Sequence, residues 1–247
     1  MNRDGFLDRL KRGAVYVGTG ALIYLFRLYE STMDIRAWGM ENLRLLKRAG
    51  ERPLVVLWHG KGFLPITYFG GERLCLYAST DRDPNYKGLA TLSRTITLQM
   101  VEQLGYQVLD ASQFASESRG VLRFVQTLKE TGGAIAADGP DGPIYQAKPG
   151  ACFLAKKSGV ILLPIGAAIS NGFRLDQWDR FEIPSLFSRG TIVIGEPIRV
   201  PKDCDDATLD RLRVDLESAL NDADRRARER LEEWRAIRVV HSAGKAG

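Results

Sequence analysis

The stretch Pro53-Leu-Val-Val-Leu-Trp-His-Gly-Lys-Gly-Phe-Leu-Pro65 decides how the rest of the chain is read. Leu54 to Trp58 is an unbroken apolar run rich in β-formers, with Pro53 before it and Gly60 and Gly62 after it. That pattern predicts a strand buried on both faces. A polar break follows at once and puts His59 at the strand end. In open α/β sheets ligands gather there, because the loops carry the chemistry while the sheet holds them still. On this stretch alone His59 is either a working imidazole or a half-buried histidine bonded to backbone.

Working outward, the apolar pattern alternates between periods. Arg73-Leu-Cys-Leu-Tyr-Ala-Ser79 reads as the next strand. Leu89, Leu92, Ile96, Met100 and Leu104 recur every three or four residues and predict a helix over 88–104, with Gly105 placed to end it. A short strand is expected over 106–109. A helix over 117–129 should turn Val121, Leu122, Val125 and Leu128 inward, and a strand of small residues should fill 132–137. Gly159 to Ile165 is another apolar strand, whose Pro164 points to an edge or a bulge. Residues 178–189 read as an irregular loop with aromatic anchors, and Thr191 to Ile194 as the last strand. From about 207 to 237, Leu209, Leu212, Leu216, Leu220, Ala223, Ala227, Leu231 and Trp234 form one stripe of an amphipathic helix packed on the domain. Strands alternating with helices predict an α/β fold, a single domain with a largely parallel central sheet flanked by helices.

The second polar constellation is Asp138-Gly-Pro-Asp-Gly-Pro143, where two Asp-Gly and two Gly-Pro steps make consecutive tight turns. Pro140 and Pro143 lack a backbone N–H, so this loop cannot cradle phosphate with a continuous row of amides as a P-loop does. Its assets are the carboxylates of Asp138 and Asp141 and the N–H groups of glycines such as Gly139. Lys148-Pro149-Gly150 then opens a helix, and a lysine beside a helix N-terminus suits an anion.

Composition narrows the function classes. The chain has 247 residues, 26% of them charged and 45% hydrophobic, which fits one sizeable domain. A formal charge of +5 favours acidic partners: nucleic acid, phosphorylated small molecules or an anionic membrane. Arg225, Arg226, Arg228 and Arg230 are balanced by neighbouring acids, which argues against nucleic acid. Cys75, Cys152 and Cys204 lie far apart, so a disulfide framework is not expected. With His59 and His241 as the two imidazoles, no metal site is expected. At the start, Arg3, Arg9, Lys11 and Arg12 precede the apolar run 13–26, too short to span a bilayer, which needs about 20 apolar residues. It lacks a small-residue cleavage site and reads either as a retained membrane-interface helix or as a first helix packed on the core. The expected division is a membrane-interface helix over 1–33, an α/β domain over 34–201, and a C-terminal helix and tail over 202–247.

In order along the chain stand Trp58-His-Gly-Lys61, Ala78-Ser-Thr-Asp-Arg-Asp83, Ala137-Asp-Gly-Pro-Asp-Gly-Pro143, Lys148-Pro-Gly150, Leu163-Pro-Ile165, Trp178-Asp-Arg-Phe181 and Gly195-Glu-Pro-Ile198. In these pieces, covering roughly 36–201, the chain resembles the lysophospholipid-acyltransferase superfamily, most closely its bacterial DUF374-type branch. The resemblance implies acyl transfer from a thioester, acyl-CoA or acyl-ACP (acyl carrier protein), to a hydroxyl of a lysophospholipid or lipid A-like glycolipid. It implies no cofactor beyond that co-substrate, and a peripheral enzyme on the cytoplasmic face of the bacterial inner membrane.

His59 matches the superfamily's catalytic histidine and would act as general base. The superfamily places an acid five positions later, where this chain has Leu64. In the DUF374-type branch the acid lies in a Ser-x-x-x-Asp-Gly segment, which maps to Ser79 and Asp83 with Pro84 in place of the glycine. Asp83 is therefore the first choice and Asp81 the second. The resemblance gives substrate binding to Asp138, Gly139 and Gly150, with Lys61 and Lys148 as phosphate partners and Arg119 as a substitute for a missing motif arginine. Leu64, Asp110 and Asp141 depart from the family pattern and leave open an inactive lipid-binding or scaffold protein. A lipid hydrolase or thioesterase is the other alternative, although no Gly-x-Ser-x-Gly elbow is present.

Overall fold

The computed structural model describes residues 23–78, 97–110, 114 and 116–243, with backbone alone at 117 and 237–243. Helix α1 covers 23–31. It is followed by β1 (Asp34–Trp38), α2 (Met40–Arg48), β2 (Pro53–Leu57), a 3-10 turn (His59–Lys61), α3 (Phe63–Tyr68) and β3 (Cys75–Ala78). Residues 97–103 form α4. Next come β4 (Gln107–Asp110), α5 (Glu117–Thr131), β5 (Gly133–Ala136), α6 (Gly150–Ser158), β6 (Ile161–Ile169), β7 (Gly172–Arg174), β8 (Glu182–Pro184), β9 (Arg189–Ile194) and α7 (Asp206–Ala243). The first half of the helix expected over 88–104 and most of the interface helix expected over 1–33 lie outside the described residues.

Seven strands form one sheet in the order β1-β9-β6-β2-β5-β3-β4, and β7 and β8 form a separate hairpin. All neighbours in the large sheet run parallel except β6 and β9, so β9 and β1 run against the other five. The fold is a single α/β domain with a largely parallel sheet flanked by helices and a long C-terminal helix.

β2 is buried along its whole length between β5 and β6, and its alternate residues feed two cores. Leu54, Val56 and Trp58 pack with Phe124, Leu128, Ala155, Leu162, Leu216 and Leu220 on one face. Val55 and Leu57 pack with Leu43, Leu64, Phe69, Leu163 and Ile192 on the other. Helix α7 lies along β6 and β9, with Ala223, Ala227, Leu231 and Trp234 against Ala168 and Val193. Its approach depends on Gly166, where a Cβ would stand 2.2 Å from the Ala223 carbonyl carbon.

Three expectations change. Leu122 is 59% exposed and Phe124 takes the inward place on α5, because the buried stripe of that helix passes one residue further round. Pro164 sits inside the sheet and not at an edge. Its carbonyl accepts the Gly195 N–H at 2.8 Å, so its missing donor points to the side where β9 has already ended. Residues 178–189 are more ordered than an irregular loop, since they contain β8 and close the β7–β8 hairpin, and Phe187 points outward, not into an anchor.

Candidate active site

The site is built at the C-terminal end of β2. The last paired residues of β2 and β5 are Leu57 and Ala136, so the chain leaves both strands side by side, His59 next to Asp138. The Ala137 N–H donates to the Leu57 carbonyl at 2.8 Å, and the His59 N–H donates to Asp138 Oδ1 at 2.9 Å. Asp138 is fully buried, and its Oδ2 has no hydrogen-bond partner. Burial raises the Asp138 pKa, against the lowering effect of the His59 N–H. The most conspicuous loop of the sequence thus holds the backbone of the histidine.

The imidazole is held by another segment. Arg174 pairs with Glu182 across the β7–β8 hairpin, and the Leu175 N–H donates to the Phe181 carbonyl at 3.0 Å. The strap between them carries Asp179, whose Oδ2 lies 2.6 Å from His59 Nδ1. Its Oδ1 accepts the Phe181 N–H at 3.2 Å, which fixes the carboxylate plane. Asp179 is 2% exposed, whereas the His59 side chain is 45% exposed. A carboxylate on Nδ1 selects the tautomer with the proton there and leaves Nε2 as the free base of the ring. Trp178 and Phe181 flank the imidazole, with ring centroids at 5.4 and 6.2 Å.

Two further contacts clamp the strap to the His59 turn. A Cβ at Gly60 would stand 2.1 Å from the Asp179 carbonyl oxygen, so only glycine admits the strap at this distance. Lys61 is turned inward, 7% exposed, with Nζ 2.6 Å from Glu182 Oε1. The same oxygen accepts Nε and Nη2 of Arg174 at 3.1 and 2.9 Å. The sequence reading of Lys61 as a phosphate partner therefore changes: a buried ammonium needs a paired acid, and Glu182 supplies it. Behind this pair, Asp224 on α7 is buried and accepts the Ala167 N–H at 3.0 Å. Burial pushes its carboxyl up to about 6, moderated by the nearby Lys61 charge.

Among the other sequence-selected residues, Gly139 follows Asp138 at a φ of +70°, and a Cβ there would stand 3.0 Å from the Lys148 side chain. The Lys148 N–H donates to the Ala137 carbonyl at 2.8 Å, which brings this lysine back to the strand end. Gly150 opens α6, with Pro149 preceding it. Arg119 is exposed in the first turn of α5, which Ser116 caps. Asp81 and Asp83 lie outside the described residues. Sequence reasoning missed the roles of Asp179 and Glu182, although Trp178-Asp-Arg-Phe181 carried the signal: an acid between aromatics in a segment without core periodicity. Among the described residues, no group of three or more His, Cys, Asp or Glu is arranged to hold a metal ion.

No family model matches the chain. It is 28% identical over 151 residues to an uncharacterized protein of Rickettsia prowazekii (strain Madrid E). That stretch is 61% of this chain and 65% of the relative, so the match spans less than two thirds of the relative's length. Among solved structures, it is similar to the crystal structure of the 1-acyl-sn-glycerophosphate (LPA) acyltransferase PlsC from Thermotoga maritima. The TM-score is 0.49 at 16% identity, with 92% of this chain and 83% of that chain covered.

Proposed function

We propose that this protein is an acyltransferase that moves an acyl chain from acyl-CoA or acyl-ACP to a hydroxyl of a lysophospholipid or lipid A-like glycolipid, working as a peripheral enzyme on the cytoplasmic face of the inner membrane. The observation that carries the reading is the half-exposed His59 imidazole backed at 2.6 Å by the buried Asp179 carboxylate. The ordered motifs shared with lysophospholipid acyltransferases over 36–201 support the choice of reaction.

In this reading Nε2 of His59 removes the proton of the acceptor hydroxyl as that oxygen attacks the thioester carbonyl. The tetrahedral intermediate collapses, the C–S bond breaks, and the leaving thiolate takes the proton back from the imidazolium. Asp179 holds the ring and stabilises its cationic form, as the aspartate does in a serine-protease triad. Asp179 thus fills the role that the sequence resemblance assigned to Asp83 or Asp81. Lys148 and the amide at Gly150 are the phosphate contacts, with Gly139 shaping the turn beside Lys148, while Lys61 acts from behind through Glu182. The thioester is a co-substrate, and the proposed chemistry uses no further cofactor.

The test is thiol release and product analysis with an acyl-CoA and a lysophospholipid in mixed vesicles. His59→Ala is expected to lower acyl transfer by about 10² to 10⁴-fold, the usual worth of a general base. Unchanged transfer in that variant overturns the reading. Thiol release independent of acceptor, with free fatty acid as product, converts it to a hydrolase.

A further inference from the structure

Large apolar side chains exposed among the described residues are concentrated at one end of the molecule. Leu45, Tyr68, Leu122, Phe153 and Val214 are exposed on α2, α3, α5, α6 and α7, and Tyr145 and Trp178 lie against Trp58 and His59. In contrast, Tyr24, Leu25 and Leu28 on α1, Phe173 on β7, and Leu186 and Phe187 in the turn after β8 are 55% to 78% exposed. The strand directions place these six at the end of the sheet that carries His59. β6 runs parallel to β2 and finishes there, β9 begins opposite Ile169, and β1 begins beside Arg189.

The pieces are joined to one another. The Tyr29 hydroxyl donates to the Pro184 carbonyl, and the Phe187 N–H donates to Thr32 Oγ1 at 3.2 Å. Rings of Phe26 and Tyr29 pack on Phe63 of α3, directly after the His59 turn, with centroids at 5.9 Å in both pairs. Phe187 holds its ring in solvent, 78% exposed, from a backbone φ of +60°. A bulky residue in the left-handed region is strained, and a ring this exposed gains little packing to offset that strain. Cations stand among the apolar groups: Arg180 is exposed in the strap, and Arg27 and Arg174, 48% and 63% exposed, are paired with Glu30 and Glu182 and keep guanidinium N–H groups toward solvent.

We propose that this end of the sheet is a docking face for an anionic lipid bilayer, with Leu186 and Phe187 as an anchor separate from the N-terminal segment. Apolar side chains interspersed with arginines match the acyl–headgroup boundary. In sequence, α1 is preceded by a segment that carries Arg3, Arg9, Lys11 and Arg12. A second copy of the chain is the competing occupant, which the oligomeric state in solution separates from the bilayer. Docked this way, the enzyme opens His59 toward the membrane, so a lipid hydroxyl reaches the imidazole without leaving the bilayer. That last consequence rests on the acyltransferase reading; the docking face does not.

The experiment is sedimentation of the full chain with phosphatidylglycerol–phosphatidylcholine vesicles. L186S/F187S is expected to lower the vesicle affinity about 10-fold, from the apolar area withdrawn from the interface. L122S/V214S, on other faces, should bind as wild type. Phe187→Gly relieves the backbone strain, so it should raise the unfolding midpoint while weakening vesicle binding, which separates docking from folding. Wild-type binding by both Phe187 variants overturns the proposal. So does a shift from dimer to monomer in sedimentation equilibrium with vesicle binding unchanged, which makes the face a self-interface. His59→Ala should bind vesicles normally; transfer retained in it removes the acyltransferase reading and leaves the docking face standing.

Discussion

Two aspartates reach His59 from different segments of the chain, and they do different work. Asp138 belongs to the Gly- and Pro-rich turn after β5, next to β2 in the sheet, and takes the histidine's backbone N–H. Asp179 belongs to the strap between β7 and β8, 120 residues from His59, and takes the ring. The conspicuous loop is conspicuous because tight turns demand glycine and proline, and those turns fix where the backbone goes. Orienting an imidazole demands only a carboxylate at the right distance, which tertiary pairing can deliver from a stretch with no special composition.

The largest expected effect tests that division. Asp179→Asn keeps the shape but presents a neutral amide to Nδ1, so it should lower acyl transfer by about 10² to 10⁴-fold, with KM within a few-fold. Initial rates over a range of acceptor concentrations check this. Near-normal turnover would break the comparison. Asp138→Ala comes next. It leaves the part-buried His59 N–H without its acceptor and should cost about 1 to 3 kcal/mol of stability in urea denaturation, with a loss of turnover below about 10-fold. Asp138→Asn keeps an oxygen for that N–H and should recover most of the loss. If Asp138→Asn abolishes transfer in a stable protein, the two aspartates have exchanged roles.

Most of the frame that positions these residues was legible in the sequence. Leu54 to Trp58 announced a strand buried on both faces, and the stripe from Leu209 to Trp234 announced α7, because burial imposes a period that survives in the residues themselves. The period blurred only where two choices were close, as with Leu122 and Phe124 on α5. Pro164 misled because the rule against proline inside a sheet concerns a ladder N–H, and the partner strand had stopped before that N–H was needed. His59 could be picked out since it ends a strand. Its ring partner left only the trace of an acid between aromatics, because Asp179 lies 120 residues away in a hairpin too short to show a period. Lys61 is a similar case: a lysine beside a histidine reads as a ligand group until Glu182 is seen beside it.

The smallest effect sharpens the same comparison with a third buried acid. Asp224 resembles Asp138, in that one oxygen holds a backbone N–H, that of Ala167, and burial raises its carboxyl, here to about 6. Asp179, in contrast, commits both oxygens, to Nδ1 and to the Phe181 N–H. A carboxyl that only holds backbone can take a proton on its other oxygen and keep the bond. Its folded value lies above the ordinary 3.8, so the folded state binds the proton more tightly than the unfolded chain. The contribution of Asp224 to stability is thus fully present below about pH 4 and is lost as pH rises through about 6. Asp224→Asn is neutral throughout and can accept the same N–H. The stability of wild type minus that of the variant should therefore fall between pH 4 and pH 7.5, by about 2 to 3 kcal/mol at most. The other carboxylates titrate alike in both proteins and cancel in the difference. Urea unfolding at several pH values reads this directly, and a difference that does not change with pH would show that Asp224 stays ionised like an ordinary surface acid and does not behave as Asp138 is expected to.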